Sequence, residues 1–235
     1  MVNHSDKLPV KTNDIDSFLK KVKQVKSMTS YGDPAGKLAF IIDATASRQP
    51  TWDYARKIQS SMFDAADESG SLNVQLIYFR GMGEFYVSSW SNDSKTLNRE
   101  MADVLCMSGH TQIEQSLNQV LLETRRAHVS AAVYIGDACE EPVNSIYRIA
   151  GELGLHKTPV FMFQEHYDKP VESIYREIAR LTGGAYCRFD MNSPDLLKEL
   201  LSAVAIYAAG GSRALKMFAD KGTAQLQEMT RQLLK

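Results

Sequence analysis

The stretch "LAFIIDATASRQP", Leu38 to Pro50, is an apolar run that stops at an aspartate and then sets a hydroxyl at every second position. Leu38 to Ile42 are apolar at odd and even positions alike, the mark of a strand buried on both faces, as in a parallel sheet. Asp43, Thr45 and Ser47 follow within five residues. A turn is one reading, because Asp, Ser and Thr favour turns by bonding their own backbone. An oxygen-lined site for a hard cation is the other. The rest of the chain bears on the choice.

Outward from this stretch, apolar strands alternate with amphipathic helices. Residues 51–70, "TWDYARKIQSSMFDAADESG", read as a helix ended at Gly70. "LNVQLIYFR" and "EFYVSSW" are two strands joined through Gly81 and Gly83, a hairpin signal. Helical spacing follows near 94–106 and 112–126. Then come the strand "SAAVYIGD", the helix "EPVNSIYRIAGELG" and the strand "TPVFMFQE". The helix "PVESIYREIARLTGG", the strand "GAYCRFD" and the helix "SPDLLKELLSAVAIYAAGG" close the unit, with Ser193 as N-cap and Pro194 as first helical residue. The pattern predicts an α/β fold: a mainly parallel central sheet with one antiparallel edge strand and helices on both faces.

The expected organisation has three parts. Residues 1–36 form an N-terminal extension, with Ile15, Phe18, Leu19, Val22 and Val25 along one face of an amphipathic helix and Gly32, Pro34 and Gly36 in the loop after it. Residues 37–209 form the α/β domain. Residues 210–235 form a helical tail whose Leu215, Phe218, Leu226, Met229 and Leu233 either pack on their own domain or offer a face to a partner helix.

The charge balance, 27 Lys plus Arg against 28 Asp plus Glu, lacks the basic footprint of a nucleic-acid binder. The Lys-rich "KKVKQVK" reads as one solvated helix face. Three scattered cysteines, Cys106, Cys139 and Cys187, make no CxxC pair, so neither a zinc site nor a disulfide framework is indicated. Cys106 and Cys187 read as small core residues, and Cys139 as a neighbour of the site that a hard cation would not choose. No secretory signal and no run of about 18 apolar residues is present, so a cytoplasmic protein outside the membrane is expected.

In open parallel sheets, ligands bind beyond the carboxyl ends of the strands. Two strands end in aspartate, at Asp43 and Asp137, and the loop "CMSGHTQIEQSL" brings Thr111 to the start of a helix. Together Asp43, Thr45, Ser47, Thr111 and Asp137 offer two carboxylates and three hydroxyls, a set suited to Mg²⁺ or a similar hard cation that keeps several waters.

These residues resemble the metal-ion-dependent adhesion site of von Willebrand factor A-type (VWA) domains. The family's D-x-S-x-S is matched by Asp43-Ala44-Thr45-Ala46-Ser47. Its loop threonine is matched by Gly109-His110-Thr111, its later aspartate by Gly136-Asp137, and its TGG segment by "IARLTGGAYCRF". The resemblance runs from about 37 to 209. It departs at Thr45, whose methyl needs room, at His110, and at Ala138 after the last aspartate. The resemblance implies a Rossmann-like fold, bound Mg²⁺ or Mn²⁺ and a binding role rather than catalysis, in which an Asp or Glu from another protein completes the coordination. Rim candidates are Arg48, Gln49, His110 and Glu140, with Trp52 and Glu141 read instead as packing and as a solvated helix start.

Two other classes compete. A metal-assisted phosphoryl hydrolase could use Asp43 as nucleophile, but position 45 is Thr where such enzymes carry a second Asp, and no lysine lies in the motif loops. No G-x-x-x-x-G-K loop or G-x-S-x-G elbow is present. An assembly scaffold acting through its terminal helices, with a vestigial metal site, is the third.

Overall fold

The computed structural model describes residues 35–49, 72–189, 194–220 and 222–234. The helices expected at 13–27 and 51–70, Trp52 and the Ser193 cap lie outside the described residues.

Six strands form one sheet: β1 (Gly36–Asp43), β2 (Leu72–Arg80), β3 (Glu84–Val87), β4 (Ala131–Gly136), β5 (Val160–Glu165) and β6 (Tyr186–Phe189). Their order is β3-β2-β1-β4-β5-β6, parallel throughout except for the β2–β3 pair. The antiparallel exception follows from the tight connection: only Gly81 to Gly83 separate the two strands, and Gly81 (φ 59°) and Gly83 (φ 108°) supply the positive φ that such a turn requires. The helices are α1 (Ser94–Ala102), α2 (Ile113–Arg126), α3 (Val143–Leu155), α4 (Lys169–Thr182), α5 (Pro194–Ala219) and α6 (Ala224–Leu233).

The double-faced apolar run of β1 is explained by its surroundings. Leu38, Phe40 and Ile42 join one buried cluster with Leu97 and Met101 of α1, Leu200 and Val204 of α5 and Leu226 of α6. Ala39 and Ile41, pointing the other way, join Leu117 and Val120 of α2, Ile146 and Leu153 of α3 and Ile178 of α4. Successive strand residues thus feed opposite layers, as the pleat requires.

The tail packs on its own domain, the first of the two arrangements its apolar residues allow: Leu215, Leu226 and Met229 join the buried cluster that β1 feeds. Helix α5 runs on through residues 209 and 210, kinked at Gly211 (φ 69°, ψ −169°). Beyond the kink Leu215, Leu226 and Met229 are fully buried. Thr223, which caps α6, donates its N–H to Glu199 Oε1 of α5 at 2.9 Å, tying the two helices together. From the far end of α6 the Gln232 amide reaches edge strand β6. It accepts from Tyr186 N at 2.9 Å and donates to Tyr186 O at 3.3 Å, as a residue of a seventh strand would. Leu226→Ala should therefore cost about 2–5 kcal/mol, the range for emptying a buried leucine site. Met217→Ala, at a half-exposed position on α5, should stay within about 0.5 kcal/mol. Urea unfolding of the two variants checks the contrast.

Candidate functional site

The strand order reverses between β1 and β4, which creates a crevice at the carboxyl ends of the strands. Register places the two aspartates there. Ile42 pairs with Ile135, so Asp43 lies one residue past the pair on β1 and Asp137 two past it on β4. The loop that carries Thr111 is tied to the same edge. Met107 N donates to Ala44 O at 3.1 Å, Thr45 bridges Met107, and Gly81 N donates to Met107 O at 3.3 Å. Gly109 makes this approach possible: a Cβ there would stand 1.7 Å from Gly81 O.

Asp43 is fully buried, and its Oδ1 accepts from Thr45 N at 2.8 Å. The Thr45 and Ser47 hydroxyls lie 3.1 Å apart. Thr45 and Thr111 are buried, whereas Ser47 reaches the surface. Burial pushes the Asp43 carboxyl up to about 6; Thr45 and Arg48 work against the rise, and the Asp137 charge adds to it. All five residues singled out in the sequence therefore lie at the strand end of β1 or in loops that the fold brings to the same edge of the sheet.

Whether a hard cation fits can be judged from the oxygens. Asp43 Oδ2 and Asp137 Oδ1 are buried with no hydrogen-bond partner among the described residues. A buried acceptor without a partner costs about 1–3 kcal/mol, which a cation or a water would offset. Among the described residues no three His, Cys, Asp or Glu gather as a metal-holding group. Any cation here would rest on two carboxylates, the hydroxyls and water, a composition that suits Mg²⁺ or Mn²⁺. Asp43, Thr45, Ser47, Thr111 and Asp137 fit that group.

One rim expectation is overturned. Arg48 is buried (1 % exposed) beneath the crevice, not on its rim. Its Nε donates to Glu165 Oε2 at 2.8 Å, and its Nη1 donates to Asp43 O at 3.0 Å and Ile135 O at 3.3 Å. The guanidinium thereby links the ends of β1, β4 and β5. A single turn of 3-10 helix, Ala46–Arg48, swings its side chain back under the strand ends. Gln49 and His110 are exposed. Glu140 is half-exposed, but its carboxylate is engaged: Oε2 accepts from Thr111 N at 3.1 Å and lies 3.2 Å from His110 Nδ1.

Glu141 is not a solvated start of its own helix. It accepts from Ile113 N at 2.6 Å and Glu114 N at 2.9 Å, the first turn of α2, where the N-cap Gln112 makes no side-chain capping bond. Burial raises the Glu141 carboxyl above its ordinary value, and these two backbone bonds oppose the rise. Glu165, Glu140 and Glu141 are the residues whose roles sequence reasoning missed. The unbroken "CEEP" just after Asp137 was the one available signal.

Neither a protein-family model nor a curated protein sequence matches the chain. Solved structures do match. The D319A mutant of the PilB minor pilin from Streptococcus sanguinis superposes with a TM-score of 0.63 at 10% identity, over 83% of this chain and 65% of the pilin. The SpRpn10 VWA domain gives a TM-score of 0.58 at 11% identity, over 72% of this chain and 95% of that domain. The ArnB paralog VWA2 from Sulfolobus acidocaldarius gives 0.51 at 14% identity, over 74% of this chain and 46% of that one. The chain thus spans under two thirds of the pilin and about half of the ArnB paralog. The fold is the VWA-like, Rossmann-type α/β fold.

Proposed function

We propose that the chain is a protein-binding module that holds Mg²⁺ or Mn²⁺ at Asp43, Thr45, Ser47, Thr111 and Asp137. An Asp or Glu side chain from another protein completes that site. The observation that carries the reading is the pair of buried carboxylate oxygens, Asp43 Oδ2 and Asp137 Oδ1, left without partners among the described residues at the topological switch point. A divalent cation there would balance the charge of the two carboxylates, and the partner's carboxylate would take a coordination position otherwise left to water. Thr45, Ser47 and Thr111 contribute neutral oxygens, so the site is not oversupplied with negative charge. Gln49 and His110 line the approach and would select among acidic partners.

Under this reading the chain binds and does not catalyse, and its place is the cytoplasm. Among the described residues no helix is long and apolar enough to cross a membrane. The VWA-like neighbours support an interaction role by fold alone.

Titration calorimetry with Mg²⁺ and with Mn²⁺, beside the double variant Asp43→Ala, Thr111→Ala, tests the site. Saturable uptake of about one ion per chain, lost in the variant, is the expected result. Equal uptake by both proteins would place the ion elsewhere. Capture of a partner that EDTA reverses, and that a Glu→Gln or Asp→Asn change in the partner abolishes, would complete the assignment.

A further inference from the structure

The loop that follows β4 does more than present Asp137. Four hydrogen bonds run from its next residues to the start of α2. Glu140 and Thr111 bond reciprocally: Thr111 N donates to Glu140 Oε2 at 3.1 Å, and Glu140 N donates to Thr111 Oγ1 at 3.0 Å. Glu141 takes the next two free donors of the helix, Ile113 N and Glu114 N. The first N–H groups of any helix need partners from outside it, and their aligned dipoles favour a negative one. The partner usually comes from the residue just before the helix. Here it comes from 27 and 28 residues further along the chain, out of the loop that carries the other proposed ligand.

The geometry points to Glu140 and Glu141 as positioning residues: they fasten Thr111 to the Asp137 loop, so that two proposed ligands from separate segments are held as one unit. The assignment rests on the metal reading given above. Neither carboxylate need touch the cation. Each acts through the backbone of the Thr111 segment, and the Thr111 hydroxyl is aimed by the Glu140 N–H. Outer partners of this kind typically contribute about 10–100-fold to metal affinity.

The two glutamates have different requirements, which makes the assignment testable. Glu140 gives one carboxylate oxygen to Thr111, and the Oε1 of a glutamine could replace it. Glu141 gives two oxygens to two N–H donors, which a glutamine, with one acceptor and one donor group, cannot do. Mn²⁺ titration of the full chain, at a temperature where every variant is folded, should show Glu140→Ala weakened about ten-fold and Glu140→Gln close to wild type. Both Glu141→Ala and Glu141→Gln should be weakened. Glu177→Ala, in a surface pair on the far helix α4, should bind as wild type does.

Weakening of Glu140→Gln equal to that of Glu140→Ala would overturn the assignment, since charge rather than position would then set the affinity. Wild-type affinity in Glu140→Ala would overturn it as well. Amide hydrogen exchange separates the clamp from the metal reading, because it needs no ion. The Thr111, Ile113 and Glu114 amides should be protected in the metal-free chain, with Thr111 losing protection in Glu140→Ala and the other two in Glu141→Ala. Unprotected amides in the wild-type chain would remove the clamp even if Mn²⁺ binds. Protected amides with no Mn²⁺ uptake would remove the metal reading, and the role in affinity with it.

Discussion

Stripped of divalent cations, the wild-type chain should gain stability from Asp43 as the pH falls through about 6, and Asp43→Asn should show no such gain. The sign follows from the direction of the shift. Burial raises the folded carboxyl from its ordinary 3.8 to about 6, so the folded state holds this proton more tightly than the unfolded chain does. The contribution is absent well above pH 6, where both states are ionised. It grows as the pH drops between the two values, and near pH 4 it approaches about 3 kcal/mol. Other carboxylates titrate in the same range, so the quantity to measure is wild type minus Asp43→Asn, by urea unfolding in EDTA. Parallel profiles would show that Asp43 is not held in this way. Saturating Mg²⁺ should reverse the dependence, because a cation stabilises the charged form. Its stabilising effect should appear above about pH 6 and fade below it. A carboxylate that burdens the empty protein at neutral pH, and is relieved by an ion, is what a binding site requires and a core does not.

The second large effect lies beneath the site. Glu165→Ala should cost about 3–5 kcal/mol, because it takes away the carboxylate facing a fully buried guanidinium. Joint replacement, Arg48→Met with Glu165→Met, should recover at least half of that loss, since a buried ion pair carries its own desolvation penalty. Recovery should stop short of completeness, because Arg48 also donates to the carbonyls of Asp43 and Ile135. Denaturant unfolding of both variants gives the comparison. Equal losses in the two would mean that the carbonyl bonds, not the ion pair, dominate. Arg48→Met also withdraws a charge that lowers the Asp43 carboxyl, so it should move the pH dependence described above to higher pH.

The layered fold was legible because its signals are local. Residues 72–80 read as a strand and form β2 over the same span, since apolar runs bounded by glycines leave little choice. The hairpin through Gly81 and Gly83 and the antiparallel edge followed from the same chemistry. The oxygens at Asp43, Thr45 and Ser47 were legible as a group because they share one loop. What escaped was every contact whose partner is remote. Arg48 follows Ser47 in a polar stretch, and nothing nearby indicates a buried carboxylate 117 residues away. Glu140 and Glu141 stand ahead of their own helix, where acidic residues are ordinary, yet they cap another. Gly210 and Gly211 read as an ending, although the helix continues through them and the tail packs on its own domain. A glycine kink within packed helices has the same local signature as a linker.

The amide of Gln232 on the border of β6 has a consequence for how the molecule meets copies of itself. A sheet border with free N–H and C=O groups invites strand addition and, through repetition, aggregation. Here the border strand is only four residues long, and a side chain from α6 already satisfies Tyr186 on its open side. Damage to α6 would therefore do more than thin the core. It would uncover an adhesive margin, and chains that stayed folded in every other respect would begin to stack edge to edge.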